Sequence, residues 1–450
     1  MKRAAGRSAI AALVVGLLGM GWWLWPLLQF RAPQTTALAA MPAAALQTQV
    51  LAWEAPGHAP PTVKDPSLVA DGGACNSWFA TIPVALPRVV MEPLILATRT
   101  RGEARLNQLL AQIAQAGSPN ERAAALYLKV LGQAKQVSLN FHDRNPECRN
   151  GTECSVDVGA AVGVTTDADV NVIARMASAS HDPQLYGLAF QACHRVTSGQ
   201  PPGECTNISA EQWAQRDPGN GTAWLYVADR AANEGRESDK AEAIYRFTQT
   251  TRFDLGLSLL SELMRHEALS GDTLFVASTA TDWTFQARTQ APLAGYQVVI
   301  AHCTLATLRD SNRAQLCNGV ANRLLGDNSA LLGPALGFGL GERLAWPAER
   351  LAAIKEELNA LRAVARETME LLYGDAKLTA DEDPIAQGRA GCEAMNRSTA
   401  FLNTQLRVGE VQELRGRLAN HTLSRAALAA QYAATVAAAQ HASEHPPAKR

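Results

Sequence analysis

The chain has 450 residues, of which 47% are apolar, so it can bury a large core and does not have the composition of a disordered protein. Its formal net charge is -1, and this balance excludes an electrostatic surface for nucleic acid. Aromatic residues are sparse at 6%, whereas residues that form helices well (Ala, Leu, Gln, Glu and Arg) dominate. The composition therefore predicts an all-α protein.

The amino terminus has the pattern of a membrane anchor. Three basic residues and no acidic residue precede an uncharged, largely apolar run at 8–30. At a rise of about 1.5 Å per residue such a run crosses a hydrocarbon core of roughly 30 Å. Tryptophans, which favour the membrane interface, lie near its far end at Trp22, Trp23 and Trp25. We expect a single transmembrane signal-anchor helix within residues 1–30.

The basic flank before this run orients the chain with its amino terminus in the cytoplasm. The prediction is a single-pass protein of the bacterial inner membrane with most of the chain in the periplasm. A cleaved signal peptide is the alternative, because Ala37-Leu38-Ala39 resembles a cleavage site, and the mature protein would then be soluble in the periplasm.

All eight cysteines follow the anchor, and an even number in an exported chain predicts disulfides. Eight cysteines allow 105 connectivities, but local spacing favours four pairs. The expected pairs are Cys148 with Cys154, Cys193 with Cys205, Cys303 with Cys317, and Cys75 with Cys392. The third pair is placed symmetrically about a turn at Asp310, which predicts two antiparallel helices bridged across their interface. Neither a zinc-ligand spacing nor a nucleophile motif accompanies the cysteines.

The first third of the exported chain divides into a tether and a helical region. Residues 31–94 are rich in proline and alanine, which predicts an extended tether. The helical pattern begins at Thr98, and Ser118-Pro119-Asn120-Glu121 is typical of a helix start. Residues 137–169 are polar and contain glycine, so we expect a long loop there.

Residues 213–254 carry the clearest pattern. Asp217-Pro218-Gly219-Asn220 precedes a stretch with Trp224, a glycine turn follows at Gly235, and a second helical stretch contains Ala241 and Ile244. This pattern resembles a tetratricopeptide repeat, and Asp182-Pro183, 35 residues earlier, resembles the start of a degenerate copy. The resemblance implies stacked antiparallel helix pairs in an α-α superhelix, and partner binding in a concave groove.

The remaining segments with helical apolar spacing are expected to extend this stack. They are 253–267, 273–287, 294–308, 314–325, 330–344, 347–373 and further helices to about Gln440. The predicted division is a TPR-like helical domain at 95–255, a C-terminal helical domain at 256–440 and a disordered tail at 441–450. Gly333, Gly337 and Gly341 predict either a close helix contact or a break in the helix.

Groups that could act in catalysis have simpler structural interpretations. Glu356, Glu357, Glu367 and Glu370 are expected on the solvated face of one helix, without the environment that would separate their pKa values. His142-Asp143 has no nucleophile motif beside it. Asp381, Glu382 and Asp383 lack the spacing of a calcium loop. No catalytic, cofactor or metal site is predicted.

The sequence thus favours a membrane-anchored periplasmic helical-repeat protein that binds a protein or peptide and has no catalysis of its own. The alternative is an exported hydrolase of cell-envelope polymers, which would require two carboxylates about 5 to 9.5 Å apart in a cleft.

Overall fold

A computed structural model describes residues 88–144, 158–196, 203–270, 274–288, 293–373 and 384–444. All regular elements in these ranges are helices, apart from an isolated bridge between Asn220 and Arg252. The α-helices are α1 Arg88–Ala116, α2 Pro119–Arg144, α3 Val158–Ala179, α4 Pro183–Val196, α5 Ala210–Arg216, α6 Gly221–Asn233, α7 Glu237–Thr248, α8 Ser258–Leu263, α9 Glu267–Ser270, α10 Leu274–Arg288, α11 Leu293–His302, α12 Ser311–Leu325, α13 Leu332–Arg343, α14 Ala348–Tyr373, α15 Pro384–Val408, α16 Glu410–Ala419 and α17 Arg425–Glu444. The predicted all-α class is confirmed for this part of the chain.

Three predicted boundaries were wrong. Helix α1 begins at Arg88, inside the predicted tether, because one proline near a helix start removes a single hydrogen bond without ending the helix. Within the loop expected at 137–169, residues 137–144 belong to α2 and 158–169 to α3, and α3 buries Ile173 and Ala177 and packs against α2. Helix α17 continues to Glu444 through alanine-rich sequence, beyond the expected start of the tail.

No helix among the described residues is both long and apolar enough to span a bilayer. The anchor predicted within residues 1–30 lies outside the described residues.

The helices of the repeat-like segment pack on each other and on helices further along the chain. Helices α6 and α7 pack on each other, α11 packs on α6, and α12 packs on α7. On the other side of α6, helix α5 lies in contact with both α6 and α4. Helices α8 and α10 lie against the earlier helices: α8 contacts α2 and α4, and α10 contacts α1 and α2. Helix α15 in turn packs on α10 and α8, so a late segment of the chain returns to an early one.

The glycines of α13, for which the sequence predicted either a close helix contact or a helix break, lie in an unbroken helix. It is continuous from Leu332 to Arg343 and packs closely on α12. A side chain at Gly337 would place its Cβ only 2.8 Å from the carbonyl oxygen of Ala321. Of the two alternatives, close helix contact is therefore the correct one.

Two clusters of buried apolar side chains are formed by the described residues. The first core extends from Leu106 to Trp346 and includes fully buried Trp213, Tyr127 and Phe247. The second core lies at Ala360–Val364, Val411, Leu414, Leu428 and Ala429, in α14, α16 and α17. The domain boundary expected between 255 and 256 does not separate two cores, because the first core continues across it.

The loop at 326–331 joins the two cores. Asp327 is fully buried next to the first core, where its carboxylate accepts hydrogen bonds from the Tyr296 hydroxyl (3.0 Å) and the Ser329 amide (2.7 Å). Burial raises the pKa of Asp327, although the hydrogen bonds from Ser329 oppose the increase. Four residues further on, Leu331 packs against the second core.

Helix α16 is attached to the same loop through its backbone. The amides of Glu410 and Val411 donate to the carbonyl oxygens of Ser329 and Asn328, at 3.2 and 3.1 Å. Gly409, which begins this contact, has a φ of 89°, and a Cβ there would lie 2.3 Å from the Asn328 carbonyl oxygen. Glycine is therefore required where the two cores meet.

Candidate partner-binding surface

The turn before α6 is held by one buried side chain. Asn220 is 1% exposed, and its carbonyl oxygen accepts from the amides of Thr222 (3.1 Å) and Asp254 (3.0 Å). Its amide nitrogen donates to Asp217 Oδ2 (3.1 Å) and to the backbone carbonyl of Asp254 (2.9 Å). Asn220 thus uses both ends of its amide to join the start of α6 to the residues that follow α7.

A charged group reinforces this turn. Arg252 forms ion pairs with Asp217 and with Asp254, the latter at 3.5 Å. Burial raises the pKa of Asp254, whereas its hydrogen bond from the Gly256 amide and the charge of Arg252 lower it. The polar residues of the Asp217–Asn220 motif therefore have a structural role: they close the α6–α7 pair.

An aromatic cluster joins α4, α5 and α6. The Phe190 ring stacks on His194 with centroids 5.6 Å apart and meets the edge of Tyr226 at 4.8 Å. Trp213 completes the contact at 5.2 Å from Phe190. The Phe190 and Tyr226 side chains are buried, whereas His194 is exposed. The cluster is therefore a buried aromatic contact between the three helices, with the exposed His194 ring at its outer edge.

Asp229 lies one helical turn after Tyr226 on α6 and is half-buried. Burial raises the pKa of the Asp229 carboxyl, while the nearby charge of His194 and a hydrogen bond from Asn233 lower it. The Asn233 amide donates at 3.4 Å, which is a long hydrogen bond. Asp229 is therefore a partly desolvated acid near the exposed His194 ring.

The four glutamates predicted on a solvated face of α14 have side chains that are 28 to 68% exposed, and each also has a basic neighbour. Arg425 pairs with Glu356 and Arg415 with Glu357, each at 2.9 Å. A ring nitrogen of His421 lies 2.9 Å from Glu367, and Arg366 lies 3.7 Å from Glu370. Most of these basic partners come from the region of α16 and α17, which is distant in sequence. The acids of α14 thus help to attach the last helices.

A small cavity between α12, α13, α14 and α16 has a volume of about 90 Å³. Its lining is mostly apolar (Leu325, Pro334, Ile354, Leu358 and Leu361), with Glu357 and Arg415 as its charged members. Its single carboxylate is already paired with Arg415. This cavity does not provide the pair of carboxylates that the hydrolase alternative requires. The described residues also contain no group of three or more potential metal ligands.

Two of the four predicted cysteine pairs are disulfides in the structure. Cys193 is bonded to Cys205 and Cys303 to Cys317, with Cα atoms 5.6 and 5.7 Å apart. All four side chains are buried. The positions of Cys75, Cys148 and Cys154 lie outside the described residues; that of Cys392 falls within α15, but its side chain is not described. These two pairs remain predictions.

The geometry expected around the Cys303 pair was wrong. Helix α11 ends at His302, so Cys303 lies just beyond it, whereas Cys317 lies within α12. Asp310 is not the centre of a turn between two helices; it caps α12 by accepting from the Arg313 amide at 2.8 Å. The bridge therefore fastens the end of one helix to the middle of the next.

The structure does not test the other groups weighed in the sequence. His142 and Asp143 lie in the last turn of α2, and their side chains are not described. Asp381, Glu382 and Asp383 fall outside the described residues. Conversely, sequence analysis missed Asp229, His194 and the buried pair of Tyr296 and Asp327. The Tyr226 and Asp229 spacing was visible on α6, but nothing in the sequence shows that α4 places His194 beside them.

Comparison with known proteins found no relative that could indicate a role for this chain. No protein-family model, no curated protein and no solved structure matches the chain. The resemblance to a tetratricopeptide repeat therefore depends on the residues of the α6–α7 pair and on their packing. The function has to be inferred from the chain's own geometry.

Proposed function

We propose that this chain is a membrane-anchored periplasmic protein of stacked, TPR-like helix pairs that binds a protein or peptide partner. The observation that carries the proposal is the α6–α7 pair. It is closed by Asn220 and stacked on α11 and α12, with α6 on α11 and α7 on α12. A helix pair of this kind cannot bury its own apolar face, so it is a building block of extended binding surfaces.

The cysteines support the proposed periplasmic location. Two buried disulfides agree with an oxidising environment, since disulfides are rare in the cytosol of most organisms. The basic flank and apolar run at 1–30 agree with export and anchoring. No feature of the described residues favours the hydrolase alternative over partner binding.

The anchor and the orientation can be tested together in the full-length chain with a tag at each end. In spheroplasts, added protease should remove the carboxyl-terminal tag and leave the amino-terminal tag protected. Mass spectrometry of the purified chain should find the initial segment present. A mature amino terminus near Ala40 would show a cleaved signal peptide instead, and a protected carboxyl-terminal tag would refute the periplasmic location.

Partner binding can be tested with a photo-crosslinking residue in the membrane-embedded chain. One position is Asn233, which is exposed on α6, and the matched control is Ala434, which is exposed on α17. We expect one discrete crosslinked product from position 233 that position 434 does not give. Identical products from both positions, or no product from position 233 in growing cells, would contradict partner binding by the repeat-like surface.

A further inference from the structure

We propose that protonation of Asp327 controls how firmly the second core is attached to the first: the 326–331 loop holds α16 when this carboxyl is neutral and releases it more readily when the carboxyl is ionised. The inference concerns the attachment of the two cores, so it does not depend on the proposed function. Three observations support it: the burial of Asp327, the neutral groups that bind its carboxylate, and the attachment of α16 to the same loop.

Asp327 is a buried acid whose hydrogen-bond partners are neutral. Its side chain is 0% exposed, and Oδ2 accepts from the Tyr296 hydroxyl at 3.0 Å. Oδ1 accepts from the Ser329 amide at 2.7 Å and lies 2.6 Å from the Ser329 hydroxyl oxygen. A Cβ added at Gly333 would lie 2.3 Å from Oδ2. The first turn of α13 therefore shields this side of the carboxylate from solvent.

Arg323 on α12 is a cation that acts on Asp327, but its guanidinium is directed to other partners. Its Nε donates to the Thr250 hydroxyl at 2.9 Å, and its guanidinium carbon lies 4.2 Å from the centroid of the Phe253 ring. Burial raises the pKa of Asp327, and the charge of Arg323 opposes that increase less than the hydrogen bonds from Ser329 do. Among the described residues, Asp327 is consequently a buried acid without a direct counter-ion.

The other titratable groups around the loop do not supply a positive charge to Asp327. Tyr296 on α11 is buried, and its burial together with the charge of Asp327 raises its pKa well above the usual value, so Tyr296 stays protonated. Glu410 at the start of α16 uses Oε2 to accept from the Leu331 amide at 3.0 Å. The first turn of α13 carries no charged side chain. An ionised Asp327 is therefore stabilised chiefly by dipoles.

The residues that follow Asp327 are those that hold α16. Besides the two backbone hydrogen bonds from α16 to the loop, the Leu331 amide donates to Glu410, and an Arg415 guanidinium nitrogen donates to Asn328 Oδ1 at 2.8 Å. These contacts lie one to four residues after Asp327. A movement of Asp327 towards water would therefore displace the groups on which α16 depends.

The two protonation states of Asp327 differ in what the closed loop costs. A proton on Oδ1 can be donated to the Ser329 hydroxyl oxygen while Oδ2 still accepts from Tyr296, so the neutral carboxyl keeps its partners. The ionised carboxylate is a buried charge, and opening of the loop relieves its desolvation. Because the folded-state pKa of Asp327 is raised, its contribution to the closed loop is greatest below the usual value of 3.8 and is lost as the pH rises through that folded-state pKa.

Hydrogen exchange of the full-length chain from about pH 4 to about pH 8 tests this dependence, with each rate divided by the intrinsic rate at that pH. We expect the protection of α16 to fall by up to about tenfold per pH unit above the usual value of 3.8 and then to level off, as release of one proton requires. Helix α6, in the first core, should show no such fall. Protection of α16 that does not change over this range overturns the proposal.

Asp327→Asn is the variant that isolates this carboxyl. It is neutral at every pH, so α16 should keep its protection at high pH and lose the slope. The variant retains the other titrating groups of the second core, including His421 beside Glu367. The matched control is Asp229→Asn on α6, another acid whose pKa is raised by burial, and it should keep the slope of the wild type. The same slope in Asp327→Asn as in the wild type overturns the proposal.

Tyr296→Phe gives a second test that does not require Asp327→Asn to fold. It removes a hydrogen bond that favours the ionised carboxylate, so the pKa of Asp327 should rise further and the fall in protection of α16 should continue to a higher pH. A fall that ends at the wild-type pH would show that a group other than Asp327 controls the opening, and the proposal fails.

Discussion

The first core and the second core are held together by different kinds of contact. The first depends on large buried side chains, on the fully used amide of Asn220 and on two buried disulfides. The second is smaller and consists largely of Ala, Leu and Val; ion pairs connect its own helices α14, α16 and α17, and the 326–331 loop links it to the first. Buried apolar contact and buried hydrogen bonds are short-ranged and cooperative, whereas exposed ion pairs are weak and screened by salt. We therefore expect the helices of the second core to open before those of the first.

The largest effect is expected at the turn before α6. Asn220→Ala removes the hydrogen bonds that satisfy the Asp254 amide and Asp217, and leaves polar groups without partners inside the first core. We expect a loss of about 3 to 4 kcal/mol of unfolding free energy, measured by denaturant titration. The control is Asn322→Ala at an exposed position of α12, which should change stability by less than about 0.5 kcal/mol. Equal effects would show that Asn220 does not hold the first core.

The disulfide between Cys303 and Cys317 should have the next largest effect. Its cysteines are 14 residues apart, so replacing both with alanine should cost about 3 kcal/mol by releasing the unfolded chain. Both side chains are 0% exposed, and we expect the native protein to resist mild reductant. Mass spectrometry after alkylation measures this directly. Rapid alkylation of Cys303 without denaturant would contradict the burial that defines this part of the first core.

Gly409 tests the joint between the two cores. Gly409→Ala places a Cβ against Asn328 at a φ of 89°, at an expected cost of about 2 to 3 kcal/mol. Gly416→Ala is the matched control, because no atom lies within 4 Å of its Cβ position in α16, and alanine should stabilise that helix by up to about 1 kcal/mol. Hydrogen exchange should show faster opening of α16 and α17 in the first variant alone. Global destabilisation without this local effect would contradict two separately held cores.

Ionic strength should have a smaller effect, and one that differs between the two cores. The pairs of Glu356 with Arg425 and Glu357 with Arg415 are partly exposed, so each contributes less than about 1 kcal/mol and weakens as ionic strength rises. We expect hydrogen exchange in α17 to accelerate in high salt while that of α6 stays constant. Arg425→Gln should remove part of this salt dependence. If α17 exchanges at the same rate in low and high salt, its attachment does not depend on these pairs.

The smallest effect concerns Asp229. Its pKa in the folded protein is raised above the usual value of 3.8, so the folded state binds a proton more readily than the unfolded state. The contribution of this carboxyl to stability is greatest below that value and is lost as the pH rises through the pKa of the folded state. At neutral pH, Asp229→Asn should consequently raise the melting temperature slightly, by about 1 to 2 °C. A lower melting temperature would show that the Asp229 charge stabilises the fold and does not destabilise it through desolvation.

The sequence predicted the α6–α7 helix pair and the two disulfides that the structure describes, and for a common reason. The glycine turn at Gly235, the Asp217–Asn220 motif and the short spacing of the bonded cysteines are all local features. The extents of α1, α3 and α17 were misjudged: a single proline did not end α1, α3 packs along α2, and alanine-rich sequence continued α17 to Glu444. The ion pairs of Glu356, Glu357 and Glu367 were not predicted, because their basic partners lie 54 to 69 residues later in the chain.

By itself the sequence determined the helical class, two of the predicted disulfides and the closing of α6 on α7, because short-range geometry and turn chemistry dictate them. Tertiary structure alone decided how helices are grouped and which polar residues have partners. It returned α15 to α10, placed the 326–331 loop between two cores, and gave a basic neighbour to seven of the eight acids in residues 210–254 while leaving Asp229 beside His194. The physical reason is that ion pairing and burial depend on neighbours in space, and residues from distant parts of the chain supply most of those neighbours.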